Sequence, residues 1–151
     1  MSTTDFTAIT ALAEPWRQLW NGDITLTDQI IHPDWVAHAA PITGGAAGDM
    51  RGRRTLDTWV TGINTLFPDL DFSFDVGPIT DGTFLVVRWK AQGTYAGGFP
   101  TAAADAVGRR MTFYGTDTLR VQDGMLIEYW ANADSLWLIQ QLGVDRVPAL
   151  G

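Results

Sequence analysis

Residues 109–134 read RRMTFYGTDTLRVQDGMLIEYWANAD. Two runs rich in β-branched and aromatic residues flank Gln122-Asp123-Gly124. The segment therefore predicts two antiparallel strands, Arg109–Val121 and Met125–Ala133, joined by a tight turn. A three-residue loop with Gly124 in the left-handed conformation pairs Val121 with Met125. In that register Arg120 faces Leu126, Thr116 faces Trp130, Tyr114 faces Asn132 and Thr112 faces Asp134. Paired residues share a sheet face. One face then collects Thr112, Tyr114, Thr116, Thr118, Arg120, Trp130, Asn132 and Asp134. The other collects Met111, Phe113, Leu119, Val121, Ile127 and Tyr129. A solvated face would carry more charge than the first, and a closed core would exclude Arg120, Asn132 and Asp134. The mixed face thus predicts a pocket wall, and the apolar face predicts a contact with a second copy.

Working outward, Phe72 and Phe74 alternate with Asp71, Ser73 and Asp75, which predicts a half-buried strand over 70–76. Thr83–Thr94 is a longer strand after the Asp81-Gly82 turn. Upstream the period changes to helical. Phe6, Ile9, Leu12, Trp16, Leu19 and Trp20 share one face of a first helix, kinked by Pro15 and ended by Asn21-Gly22. Leu26–Ile31 is a second, short helix. Trp35–Ala40 is extended. A third helix over 53–67 places Leu56, Trp59, Val60, Ile63 and Phe67 on one side. Ser135–Leu142 is a last helix. Gly- and Ala-rich stretches at 43–49 and 96–108 read as loops. Helices, then antiparallel strands, then a helix imply an α+β fold, with helices against one face of a curved sheet and one open end.

At 151 residues the chain predicts a single domain, 1–151. Ten basic and seventeen acidic residues give a net charge of −7. An acidic chain lacks the basic face that nucleic acid or an anionic membrane requires. With no cysteine and two histidines, disulfides and thiolate catalysis are excluded and a metal site is not expected. No apolar run approaches the roughly 18 residues of a membrane span. Met1–Phe6 carries no basic segment of the secretory kind, so the expected location is cytoplasmic.

Asp134 is the candidate acid/base, with Arg120, Asn132, Tyr114 and Trp130 around it as substrate-binding groups. The competing reading makes Asp134 the cap of the final helix and Arg120 a surface arginine. His38 is a candidate at the pocket mouth, or a hydrogen-bonded structural histidine. Arg88, on the same strand parity as Phe84 and Val86, projects inward as an electrostatic group or lies across the sheet at a dimer interface. Trp16, Trp20, Trp35 and Trp59 lie on apolar faces and read as core.

The segments FPDLDFSFD, VVRWKAQGTYAGGF, GRRMTFYGTDTLRVQDGMLIEYWANAD, IIHPDWVAHAAP and LIQQLG resemble the SnoaL-like polyketide cyclases of the NTF2-like superfamily. The resemblance runs from about Asp5 to Gly143. It implies a cone-shaped α+β barrel, a curved antiparallel sheet wrapped around N-terminal helices, and a homodimer. In these cyclases an aspartate after an E-x-W motif is the acid/base. Glu128-Tyr129-Trp130 leads to Asp134 here. Arg120 stands where the cyclases carry a ligand-contacting histidine, and Gly93-Thr94-Tyr95 replaces their Gly-Thr-His. The related limonene epoxide hydrolases pair two aspartates with an arginine. Arg88 matches that arginine, while Lys90 stands where one aspartate would be.

The chemistry this implies needs no cofactor and no metal. A carboxylate in a dry pocket removes a proton α to a carbonyl, and the enolate closes a ring on a second carbonyl. The expected ligand is a hydrophobic, carbonyl-bearing small molecule such as a polyketide. The alternatives are a non-catalytic binding domain on the same scaffold or an epoxide-hydrolase-like enzyme.

Overall fold

The apolar stripes found in the sequence must be covered, and helices and sheet cover one another. In the computed structural model, which describes residues 3–42 and 45–144, five α-helices and six strands do this. The helices are α1 (Thr3–Thr10), α2 (Ala13–Trp20), α3 (Thr27–Ile30), α4 (Arg53–Leu66) and α5 (Ser135–Gln141). The strands are β1 (Ile31–Ala39), β2 (Gly48–Arg51), β3 (Asp71–Thr80), β4 (Phe84–Thr94), β5 (Arg110–Gln122) and β6 (Met125–Ala133). They form one curved sheet in the order β2-β1-β6-β5-β4-β3, which does not close. β1 runs parallel to β6, and the other neighbours are antiparallel.

Three local expectations change. The first helix is two helices, broken at residues 11–12. Pro15 lies in the first turn of α2, where its missing N–H has no helical partner to lose, so it opens a helix and kinks none. The stretch 43–49 contains a strand start, since β2 begins at Gly48; residues 43 and 44 lie outside the described residues. β1 begins at Ile31, four residues earlier than expected.

The β5–β6 turn also differs. Gln122 pairs with Met125, leaving a two-residue loop in which Asp123 and Gly124 have φ of 55° and 71°. Two left-handed residues in an Asp-Gly pair make the hairpin turn that suits strand twist. A register shift follows between Arg120 and Val121, where Arg120 faces Glu128 and Val121 faces Leu126. Ile127 is therefore the extra residue of a bulge. The one-residue change in loop length and the one-residue bulge cancel in parity. Trp130 faces Thr118 and Asn132 faces Thr116, so the two face groupings survive while partners beyond the bulge move by two.

The direction of those faces is reversed. Met111, Phe113, Leu119, Ile127 and Tyr129 are buried within the chain. Tyr129 packs against Trp16, Trp20 and Trp59 from α2 and α4, and Phe113 packs against Phe67. The apolar parity is the concave, helix-covered side, so it offers no contact to a second copy. The mixed parity, with Tyr114, Thr116, Thr118, Arg120 and Trp130, is the convex outer side. Burial along β5 alternates buried and half-buried from Met111 to Arg120, as one covered and one uncovered face require.

Candidate active site

A cavity of about 220 Å³ lies between the concave side of the sheet and the helices. Its aromatic walls come from α2 (Trp20), α4 (Trp59), β3 (Phe72), β4 (Trp89), β5 (Phe113) and β6 (Tyr129). Ala39 at the end of β1, Ala40 and Ile42 beyond it, and Asn132, Ala133 and Ser135 at the β6–α5 junction also line it. An apolar cavity of about 150 Å³ admits a benzene ring. This one therefore has room for a one- or two-ring body.

Asp117 on β5 also lines the cavity and is only 4% exposed. A charge inside an apolar stripe is costly unless donors surround it. Three do so. Trp16 Nε1 donates to Asp117 Oδ2 at 3.0 Å, and Trp89 Nε1 and Tyr129 Oη donate to Oδ1 at 3.0 and 2.7 Å. The donors come from α2, β4 and β6, so one carboxylate ties three elements together. All three are neutral. Burial raises the Asp117 pKa, opposed by the hydrogen bonds from Tyr129, Trp16 and Trp89. Burial also raises the Tyr129 phenol, and the adjacent Asp117 adds to it. A carboxylate offers about four acceptor positions. Among the described residues two on Oδ1 and one on Oδ2 are occupied, which leaves one on Oδ2.

Gly115 makes this arrangement possible. A Cβ at this position would lie 2.2 Å from Trp89 Cζ2 and 2.5 Å from the Asn132 carbonyl oxygen. Gly115 pairs with Trp89 across β4 and β5. The bare Cα lets the indole lie over β5 and reach Asp117 two residues away.

The residues picked out in the sequence fall elsewhere. Arg120, Trp130, Tyr114, Arg88 and His38 sit on the convex face, outside the cavity. There His38 stacks on Trp130 with ring centroids 5.4 Å apart. Its Nδ1 lies 2.8 Å from Asp49 Oδ1 and its Nε2 2.7 Å from Glu128 Oε2. Arg120 Nε donates to Glu128 Oε1 at 2.9 Å. The hydrogen bond to Glu128 chiefly raises the His38 pKa, and the same bond chiefly lowers that of Glu128. Arg88 donates to Asp75 at 3.0 Å and lies over the Tyr114 ring. The reversed face explains all five placements.

Asp134 and Asn132 lie at the cavity's edge. Asp134 is exposed at the N-terminus of α5, and its side chain makes no capping hydrogen bond. Its neighbours Ala133 and Ser135 line the cavity, as does Asn132. The structure therefore brings Asn132 to the rim with Asp134 beside it, and separates both from Arg120. Asp117 is not among the residues singled out from the sequence, although it stands out there. It is a carboxylate in the stripe Met111, Phe113, Gly115, Asp117, Leu119, where every other side chain is apolar or absent.

The model of the SnoaL-like polyketide cyclase family matches residues 10–142. The chain belongs to that family. Among solved structures, the SnoaL-like chain is similar to TsrD of Streptomyces laurentii, with a TM-score of 0.75 at 22% identity over 95% of this chain and 98% of that one. IdmH of Streptomyces antibioticus, named as a candidate polyketide cyclase, gives a TM-score of 0.76 at 24% identity over 90% and 99%. AclR of Streptomyces galilaeus, named as a candidate hydroxylase, gives 0.74 at 21% over 93% and 85%. These likenesses establish the NTF2-like fold. Among curated proteins none matches the chain significantly. No helix among the described residues is long and apolar enough to cross a membrane.

Proposed function

We propose that this SnoaL-like chain is an acid/base enzyme that enolises a one- or two-ring carbonyl compound and closes a further ring, with Asp117 as the base. The observation that carries this is the buried Asp117 carboxylate, lining an aromatic cavity with one Oδ2 acceptor position unfilled. Burial destabilises the anion and so strengthens it as a base near neutral pH. Asp117 Oδ2 takes the α-proton, and the C–H electron pair moves to make the enolate. The enolate carbon then attacks a second carbonyl of the same molecule. The new alkoxide recovers the proton from the Asp117 carboxyl, which restores the starting carboxylate. The three neutral donors hold Asp117 in one orientation through both proton transfers.

A second reading places the acid/base at Asp134, favoured by its position between cavity-lining residues 133 and 135. One experiment separates the two. The α-protons of 1-tetralone and ethyl benzoylacetate are followed by NMR in D₂O with wild type, Asp117→Asn and Asp134→Asn. The expected result is enzyme-dependent exchange that falls at least 100-fold in Asp117→Asn and stays near wild type in Asp134→Asn, a loss of the size seen for a general base. The reverse pattern transfers the role to Asp134. Absence of exchange with wild type overturns the enolisation reading.

A further inference from the structure

The concave side holds a second unmatched polar atom. Trp20 lines the cavity and is 7% exposed, and its buried Nε1 finds no acceptor among the described residues. Its surroundings explain why. Trp20 is packed against Trp16, Trp59, Phe72 and Tyr129, with centroid distances of 5.8, 5.0, 6.0 and 6.4 Å, all edge-on. Three of these rings carry no ordinary acceptor atom, and the hydroxyl of the fourth, Tyr129, is engaged with Asp117 Oδ1. A buried donor left unpaired is costly and uncommon in folded proteins.

One other indole is in the same condition. Trp35 Nε1 is buried and unpartnered as well, yet Trp35 is not part of the cavity wall. It stacks on Tyr129 from β1, with centroids 6.3 Å apart. The two tryptophans share a chemical deficit, and only the Trp20 side chain belongs to the cavity lining.

Trp20 is one indole away from the candidate base. The Trp16 ring contacts Trp20 on one side and donates to Asp117 Oδ2 on the other. Asp117 and Trp20 both line the cavity, and among the described residues the first keeps an unfilled acceptor position and the second an unfilled donor. The group that complements such a pair has an acidic hydrogen and an acceptor oxygen close together, and an enolisable ketone has both. Resting on the reading of Asp117 as base, we propose that Trp20 Nε1 donates a hydrogen bond to the ligand's carbonyl oxygen. It thereby selects ketones over hydrocarbons of the same shape and supports the enolate as charge moves onto that oxygen. Trp20 is a ligand-binding residue in this scheme, and the proton moves only at Asp117.

The test uses 1-tetralone and tetralin, two-ring compounds that differ in the carbonyl. Indole N–H resonances of ¹⁵N-labelled wild type are followed as each is added. The Trp20 proton moves downfield with 1-tetralone and not with tetralin, whereas the Trp35 proton responds to neither. Trp20→Phe binds 1-tetralone about tenfold more weakly, the cost of one hydrogen bond, and binds tetralin within about twofold of wild type. Should Trp20→Phe fail to fold, the wild-type resonances decide alone. Equal Trp20 shifts with both compounds, or none at saturating 1-tetralone, overturn the proposal. The two readings fail separately. With Asp117→Asn, α-proton exchange is lost while the Trp20 shift persists. If Trp20 is wrong and Asp117 right, wild type exchanges α-protons without a ketone-specific shift. No binding of either compound removes both.

Discussion

The two faces of strands β5 and β6 each carry a carboxylate held by side-chain donors, and the two groups move in opposite directions. On the concave face Asp117 takes hydrogen bonds from two indoles and a phenol, and its pKa is raised by burial. On the convex face Glu128 lies between His38 and Arg120, and its pKa is lowered, first by the His38 bond. The number of donors is similar. What differs is their charge and the access of water. Neutral donors orient a carboxylate without cancelling the cost of removing it from water. Cationic donors at a half-exposed site favour its charge directly. The concave group is thus suited to exchange a proton, and the convex group to hold a clamp.

The largest contrast is in stability. Asp117→Ala leaves the Trp16, Trp89 and Tyr129 donors buried without an acceptor. At 1–3 kcal/mol for each such group, partly relieved by repacking, the expected loss is about 3 kcal/mol or more. Glu128→Ala removes a water-accessible ion pair and is expected to cost about 1 kcal/mol or less. Urea denaturation of both variants checks this. Equal costs would mean that Asp117 is not the tie between α2, β4 and β6.

Next is the backbone position that admits Trp89. A Cβ at Gly115 collides with the indole at 2.2 Å. Gly115→Ala is expected to cost about 2 kcal/mol through overpacking and to move the Trp89 ring off Asp117. Thr116→Ala, one residue along and on the convex face, is expected to change stability by less than about 0.5 kcal/mol. Thermal melts with near-ultraviolet circular dichroism measure both effects. An unchanged aromatic signal in Gly115→Ala would show that Trp89 has another seat.

These two pairs also mark what the sequence makes legible. Strands β3 to β6, the two long helical stretches and the face groupings follow from period, because period 2 and period 3.6 are local properties. The grouping of Arg120 with Trp130 and Asn132 survived an error in loop length because the bulge at Ile127 compensated it. Curvature is another matter. Which face of a two-faced sheet turns inward is set by where α2 and α4 dock, and that is tertiary information. The mixed face resembled a pocket wall because its polar groups are varied, yet His38, Glu128, Arg120 and Asp49 satisfy one another in water. The apolar face resembled an interface because it is apolar, yet the chain's own Trp16, Trp20 and Trp59 cover it. Asp117 was the exception within that face. Nothing local identifies its partners, since Trp16 is 101 residues away.

A smaller effect concerns the proposed base. Tyr129→Phe removes one donor to Asp117 and keeps the ring packing. The Tyr129 hydrogen bond is the foremost influence opposing burial at Asp117. Its loss is expected to raise the Asp117 pKa further and to cost about 1 kcal/mol. A ¹³C titration of the Asp117 carboxyl in wild type and Tyr129→Phe reads the shift directly. A fall in midpoint would mean that the carboxyl had gained water, and so that the cavity had opened.

The smallest effect belongs to the convex face, and it carries a sign. The His38 pKa is raised, so its contribution to stability is complete below its unfolded value, about 6.5, and fades as pH rises through the folded value. The Glu128 pKa is lowered, so its contribution is complete above about 4.5 and fades as pH falls through the folded value. The two windows overlap between about pH 4.5 and 6.5. There the imidazolium joins Asp49 on β2 to Glu128 on β6. Once pH passes the raised folded value, the ring keeps one proton and can donate to only one of the two carboxylates. His38→Ala should therefore lower Tm most near pH 5.5 and least near pH 8.5, by a few degrees at most, since both partners remain partly hydrated. A His38→Ala deficit that does not change with pH would show that stacking on Trp130, and not charge, is what His38 supplies.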